Sequence, residues 1–269
     1  MPDKTIITVA PTGNVPTKAL NPHTPITPEE IAEDVYRCYR EGAAVAHIHA
    51  RDKNGRPTTD INIFRSIIDK VREKCDIIIQ LSTGARGGNI DDRGTCIDLK
   101  PDMASLTTGS SNFPDEVNYN PPRLIETLAR KMFDQKVKPE VEIFDLSMIN
   151  NALHLVKKGL LSEPLHFNLV LNVPGSLQGT IKNLFILRES LPENCTWTVS
   201  AIGKSHKKLS ALALLLDGNV RVGIEDVTFL YKDKPVSNVE LVRNIAKTAQ
   251  VMDIEIATPE EAREILNLS

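Results

Sequence analysis

Cysteine is scarce and scattered in this chain. Cys38, Cys75, Cys96 and Cys195 never form a Cys-x-x-Cys pair, which disfavours a thiolate zinc knot, a redox motif or a disulfide framework. Reduced, mostly buried thiols of this kind suit a cytoplasmic protein. Long apolar runs are missing as well: no stretch approaches the roughly 18 apolar residues of a membrane span. The opening Met1-Pro2-Asp3-Lys4-Thr5 has no basic-then-apolar leader, so neither membrane insertion nor secretion is expected. Runs of Lys and Arg are short, the net charge is −3 and the pI is near 6.1, which leaves nucleic acid little to bind. No Gly-x-Gly-x-x-Gly follows the first apolar run, which argues against a dinucleotide fold. With no low-complexity tract and no shift in composition, one domain over residues 1–269 is expected.

What the chain does have is alternation. Apolar, β-rich runs are predicted as strands at Ile6–Ala10, Val45–His49, Ile77–Leu81, Met103–Leu106, Glu140–Phe144, Leu165–Leu171, Thr196–Ser200 and Val220–Ile224. Helical patterns follow nearly all of them. Thr27-Pro28-Glu29-Glu30 and Thr258-Pro259-Glu260-Glu261 read as capping boxes with Pro at the first helical position. Strand–helix alternation of this kind demands a parallel sheet with right-handed crossovers. At 269 residues a closed α/β barrel, the (β/α)8 TIM barrel, fits better than an open sheet.

The chemistry of such a barrel lies at the carboxyl ends of its strands. There, His47 and His49 lie two residues apart and so share a face of an extended chain. Two imidazoles on one face can reach one cation; the plain alternative is a pair of polar residues bonded to backbone and water. In a closed barrel the last strand lies beside the first and close to the second, so Glu225 can join them. Two His and one carboxylate with positions left open is a catalytic arrangement for Zn²⁺, and Fe²⁺ is compatible with the same ligands. By alternation Arg221, Gly223 and Glu225 share a face, and Asp226 is the nearest partner for the Arg221 guanidinium. Ser82-Thr83-Gly84 and Thr107-Thr108-Gly109-Ser110 are matched hydroxyl-and-glycine turns suited to a carboxylate. Gly203-Lys204-Ser205-His206-Lys207-Lys208 either binds a phosphate or is a solvated basic face.

Taken together, His47-Ile48-His49-Ala50-Arg51-Asp52, Gln80-Leu81-Ser82-Thr83-Gly84, Pro101 to Leu106, Pro139-Glu140-Val141-Glu142 and Arg221 to Asp226 form an ordered set. This set resembles the β-keto acid cleavage enzymes, and the likeness runs from the first strand to the terminal Thr-Pro-Glu-Glu-Ala-Arg. The resemblance implies a Zn²⁺-dependent barrel, usually a homotetramer. It condenses a β-keto acid with acetyl-CoA and releases acetoacetate and a new acyl-CoA. By the same resemblance His47, His49 and Glu225 would hold the metal, and Arg221 with Asp226 would deprotonate the keto acid. Ser82, Ser105 and Thr107 would bind its carboxylate, with Gly84 and Ala85 in the same anion loop and Glu142 in the catalytic pocket. Two positions depart from the family pattern. Val15 stands where the aminohexanoate enzyme has a Glu that pairs an ammonium group, so a keto acid without that group is expected. Ala85 replaces a loop glycine and Arg86 follows, which either serves a dicarboxylic acid or faces solvent. Two other readings remain open at this point. A hydrolase on an amidohydrolase-like barrel would want more His ligands than strands five and six offer. A non-catalytic binder of small acids would have less use for Arg221, Asp226 and Ser82.

Overall fold

The computed structural model describes residues 4–84, 92–114, 116–231 and 234–268. Eight strands, β1 (Ile7–Val9), β2 (Val45–Ile48), β3 (Ile78–Leu81), β4 (Met103–Thr107), β5 (Lys138–Ile143), β6 (Leu165–Leu171), β7 (Cys195–Ala201) and β8 (Asn219–Val222), pair in parallel and in chain order. The last returns to the first, Arg221 opposite Thr8 and Val222 opposite Val9, and the sheet closes into the expected barrel. Around it lie α1 (Pro28–Arg40), α2 (Ile61–Arg72), α3 (Pro122–Gln135), α4 (Ser147–Lys157), α5 (Ile181–Glu189), α6 (His206–Leu215), α7 (Asn238–Val251) and α8 (Pro259–Ile265).

Local sequence explains the helix starts. Thr27 and Thr258 accept from the backbone N–H groups of Glu30 and Glu261, whose carboxylates reach back to the cap N–H, as the two capping boxes require. A third box, Ser237 with Glu240, opens α7. The first two helices each present one apolar stripe to the barrel: Ile31, Ala32, Val35 and Cys38 in α1, and Phe64, Ile67 and Val71 in α2, all buried. At the amino-terminal end, Lys4–Thr5 pairs in parallel with Glu255–Ile256 and closes the barrel floor.

Two strand ends differ from the sequence reading. β2 stops at Ile48, and Ala50–Arg51 turns away to pair antiparallel with Pro57–Thr58. β8 stops at Val222, because Gly223 lies so close to the first strand that a Cβ there would sit 2.0 Å from the Ala10 carbonyl oxygen. Glu225 and Asp226 therefore sit on a turn, not on an alternating strand face; their N–H groups bond to Ala10 O and Gly223 O.

Parallel register fixes what fills the barrel. His47 pairs with Gln80, Thr107 with Glu142, Glu140 with His166 and Ser200 with Arg221. Register partners in a parallel pair point to the same face, so these side chains meet inside. The middle and mouth of the interior are consequently polar, above an apolar floor of Val45, Ile78 and Met103 packed with Ala262 of α8, where barrels of this type usually pack branched apolar layers throughout.

Candidate metal centre and substrate cavity

His47 and His49 meet at the mouth of the barrel. Their Nε2 atoms are 3.3 Å apart, and Glu225 Oε1 lies 3.9 Å from the first and 3.4 Å from the second. The other nitrogen of each ring is committed. His47 Nδ1 donates to Gln80 Oε1 at 2.5 Å, and His49 Nδ1 donates to Asn14 Oδ1 at 3.0 Å. With the protons on Nδ1, both Nε2 atoms present lone pairs to each other and to a carboxylate. Burial pushes the His47 imidazole down to about 4, so it stays neutral at physiological pH. Glu225 Oε2 is buried without a hydrogen-bond partner. Arg221 Nη2 satisfies Glu225 Oε1 from one side, but the two facing imidazole lone pairs have no donor between them and repel one another unless a cation joins them. Zinc–nitrogen bonds of about 2.0–2.1 Å at a tetrahedral angle put two ligand nitrogens roughly 3.3 Å apart, the separation found here. The donor set fits a divalent ion.

Glu225 is delivered by close packing. Gly13 has φ +61°, and a Cβ on it would lie 2.5 Å from Glu225 Cγ, so only glycine lets the first loop pass beneath the carboxylate. Arg51, the Arg of the His-Ile-His-Ala-Arg-Asp run, is buried and donates to three carbonyl oxygens, those of Gly13, Pro16 and Gly55. It is a clamp on that loop. Asp52 accepts from the N–H groups of Asn54 and Arg56 and shapes the turn that follows.

Arg221 and Asp226 form the expected pair. Arg221 Nε donates to Asp226 Oδ2 at 2.9 Å and Nη2 to Oδ1 at 2.6 Å, while Nη2 also reaches Glu225 Oε1 at 3.0 Å. Burial opposes the charge on Arg221, but the two carboxylates outweigh it and hold the guanidinium well above its ordinary range. Asp226 has no exposed side-chain surface. Arg221 is the member of the pair that faces the cavity.

That cavity, about 390 Å³, opens beside the three ligands. Ser82, Gly84, Thr107, Glu142 and Val15 line it, as does Arg93. Ser105 stands behind it: its hydroxyl accepts from Thr83 N–H and so holds the Ser82 turn, a supporting place and not the direct contact expected from sequence. Ala85 and Arg86 lie outside the described residues. Glu142 accepts from Thr107 Oγ1 at 2.6 Å. Burial, with the charge of Glu140 added, pushes its carboxyl up to about 7. Glu140 itself is held down to about 2: burial opposes its charge, but His166 at 3.6 Å, and behind it His47 and Arg221, favour the ionised form. Val15 is 60% exposed at the rim. The far wall is apolar, with Phe113, Phe144, Val170, Val173, Pro174 and Ile202. Among the described residues, the acidic groups on the lining are Glu142 and Glu225.

Gln80, Asn14 and Arg51 were not singled out by sequence reading as parts of the site. Gln80 had a signal, because it is the register partner of His47 in any parallel pairing of those strands. The other polar strand-end residues go elsewhere. Ser200 donates to Asn168 inside the barrel, and Asn172 binds the Ile202 carbonyl. His206 is buried, its Nδ1 bonded to Ala201 O, so it is not part of a solvated basic face.

The sequence model of the beta-keto acid cleavage enzymes matches residues 4–268. The chain belongs to this family. It is 41% identical over 274 residues to a 3-keto-5-aminohexanoate cleavage enzyme of Fusobacterium nucleatum subsp. nucleatum, covering 100% of this chain and 99% of that one. It is 36% identical over 269 residues to a 3-oxoadipate:acetyl-CoA acetyltransferase of Cupriavidus necator, covering 98% of this chain and 94% of the relative. Among solved structures, apo ObcA superposes with a TM-score of 0.79 at 22% identity, over 92% of this chain and 66% of its own, a likeness of fold. Membership sets aside both the hydrolase and the non-catalytic readings: this is a β-keto acid cleavage enzyme on a TIM barrel. No helix among the described residues is long and apolar enough to cross a membrane.

Proposed function

We propose that this enzyme exchanges acyl groups between acetyl-CoA and a β-keto acid with an uncharged tail, using Zn²⁺ held by His47, His49 and Glu225. The observation that carries the metal is the facing pair of Nε2 lone pairs with a Glu225 carboxylate oxygen within 4.8 Å of both. When bound, the ion supplies Lewis acidity to the β-carbonyl. Support for acetyl-CoA as the second substrate comes from the name of the Cupriavidus necator relative.

The chain's own groups divide the remaining work. Ser82, Gly84 and Thr107 line the cavity on one side and receive the keto acid's carboxylate, with Ser105 holding their turn through Thr83. A proton leaves the α-carbon, which attacks the acetyl carbonyl as the CoA thiolate departs. The thiolate then attacks the original keto carbonyl, the bond between that carbon and the α-carbon breaks, and the proton returns. The products are acetoacetate and a new acyl-CoA. In this reading the Arg221–Asp226 dyad takes the proton as a relay: Arg221 makes the contact because Asp226 is fully covered, and the guanidinium passes one of its own protons to the Asp226 carboxylate as it receives the one from the α-carbon. Glu142 is a second acceptor, favoured by its place on the cavity wall and by a carboxyl pushed up to about 7, close to the working pH.

Val15 and the apolar far wall support a tail without an ammonium group, because neither offers a counter-charge. Ala85, outside the described residues, keeps its sequence-based place in the anion loop. We further propose that one domain spans residues 1–269, that the enzyme works in the cytoplasm, and that it assembles as a homotetramer. The free cysteines are consistent with the second of these, and the exposed Ile181, Phe185 and Ile186 on α5 with the third. The test is acetoacetate formation from acetyl-CoA with 3-oxohexanoate, 3-oxoadipate and 5-amino-3-oxohexanoate in parallel. Preference for 3-oxohexanoate is expected; comparable turnover of the aminated acid would overturn the tail assignment.

A further inference from the structure

We infer that Asn14 is a positioning residue for the metal centre: its side-chain carbonyl holds His49 in the tautomer that leaves Nε2 free to bind the ion. The inference rests on the metal reading above and adds a residue outside the ligand set.

A histidine that ligates through Nε2 must carry its proton on Nδ1, and that proton needs an acceptor. Two amide carbonyls fill this role from different parts of the fold. Gln80 serves His47 from within the barrel wall, and its Nε2 is left buried without a partner, so the side chain is committed through its oxygen. Asn14 serves His49 from the loop after β1. That loop is fixed independently of the metal, because Arg51 bonds the carbonyls of Gly13 and Pro16 on either side of Asn14. Gly13 also packs beneath Glu225 with no room for a side chain. One short segment thus abuts two of the three ligands, and Asn14 and Val15 carry it on into the cavity wall. Turned the other way, the Asn14 amide would donate to His49 Nδ1 and force a proton onto Nε2. That proton would stand between the ligand atoms, where it opposes metal binding.

The test uses full-length protein stripped of metal, with zinc affinity read by competition against a chromophoric chelator. Asn14→Ala is expected to weaken zinc binding by about 10–100-fold, the usual cost of losing such a partner. Asn14→Asp restores the acceptor and is expected to bind within a few-fold of wild type. Long-range ¹H–¹⁵N spectra of the metal-free wild type should show His49 protonated at Nδ1. Thermal unfolding of the metal-free variants should match wild type, since Arg51 still holds the loop. Wild-type affinity in Asn14→Ala, equal weakening in Asn14→Asp, or a proton on Nε2 in the spectra would each overturn the assignment. Failure of the wild type itself to bind zinc would overturn the metal reading, and this inference with it.

Discussion

Replacing Asp226 by Asn tests the buried dyad most sharply. The carboxylate has no exposed surface and receives two charge-assisted bonds from Arg221, at 2.9 and 2.6 Å. Each such bond contributes about 1.5–3 kcal/mol, and breaking a buried pair from one side costs about 3–5 kcal/mol because the other charge stays behind. Asn keeps the shape but turns an NH₂ group toward the guanidinium. Arg221 retains Glu225 at 3.0 Å, which places the expected loss near the lower bound, about 3 kcal/mol. For a chain of this size that corresponds to a fall of roughly 6–12 °C in melting temperature. Urea and thermal unfolding of metal-free protein measure it. Arg221→Met and Asp226→Leu combined with Glu225→Gln should be less damaging than Asp226→Asn alone, because the guanidinium and both carboxylates paired with it are removed together. A single variant as stable as wild type, or a triple variant worse than the single, would refute the reasoning.

Glu142→Gln should lower kcat by about 10²–10⁴-fold and remove the inflection near pH 7 from the rate profile. Because the folded carboxyl sits at about 7, above its ordinary 4.5, its contribution to stability is complete below about 4.5 and lost as pH rises through 7. The Gln variant should therefore gain on wild type in unfolding assays above pH 7. His206 shows the opposite behaviour: burial lowers it from 6.5 to about 4, so stability drops as pH falls from about 6.5 to 4. His206→Gln should reduce that drop by up to roughly 3 kcal/mol, measured by urea titration across the window. Gly13→Ala should displace Glu225, since the added Cβ would meet Glu225 Cγ at 2.5 Å and the φ of +61° disfavours it; zinc affinity, read by competition, should fall at least tenfold.

Much of this architecture was legible in the residues because it depends on short-range rules. Strand–helix alternation demanded a parallel barrel, and the capping boxes at Thr27 and Thr258 fixed two helix starts. The spacing of His47 and His49 placed both rings on one side even though β2 ends between them. Glu225 was found through barrel closure, but its route was misread. The close approach of Gly223 to Ala10 ends the strand early, a contact between residues over 200 positions apart that no local pattern encodes. For the same reason the partners of the imidazoles were missed. Asn14 reaches His49 only because Arg51, apparently a flank of the histidine motif, in fact clamps the loop. Ser105 shows the converse: its type suited an anion site, but it faces inward one layer below Thr107, opposite Glu140, and its hydroxyl accepts from Thr83 N–H.

The most direct measurement is acetyl-CoA-dependent acetoacetate formation by enzyme stripped with a chelator and then titrated with zinc, alongside metal analysis of each sample. Turnover is expected to vanish in the stripped protein and to return in step with one zinc per chain, while Glu225→Gln stays inactive at the same zinc concentration. Undiminished turnover by metal-free protein would contradict the account.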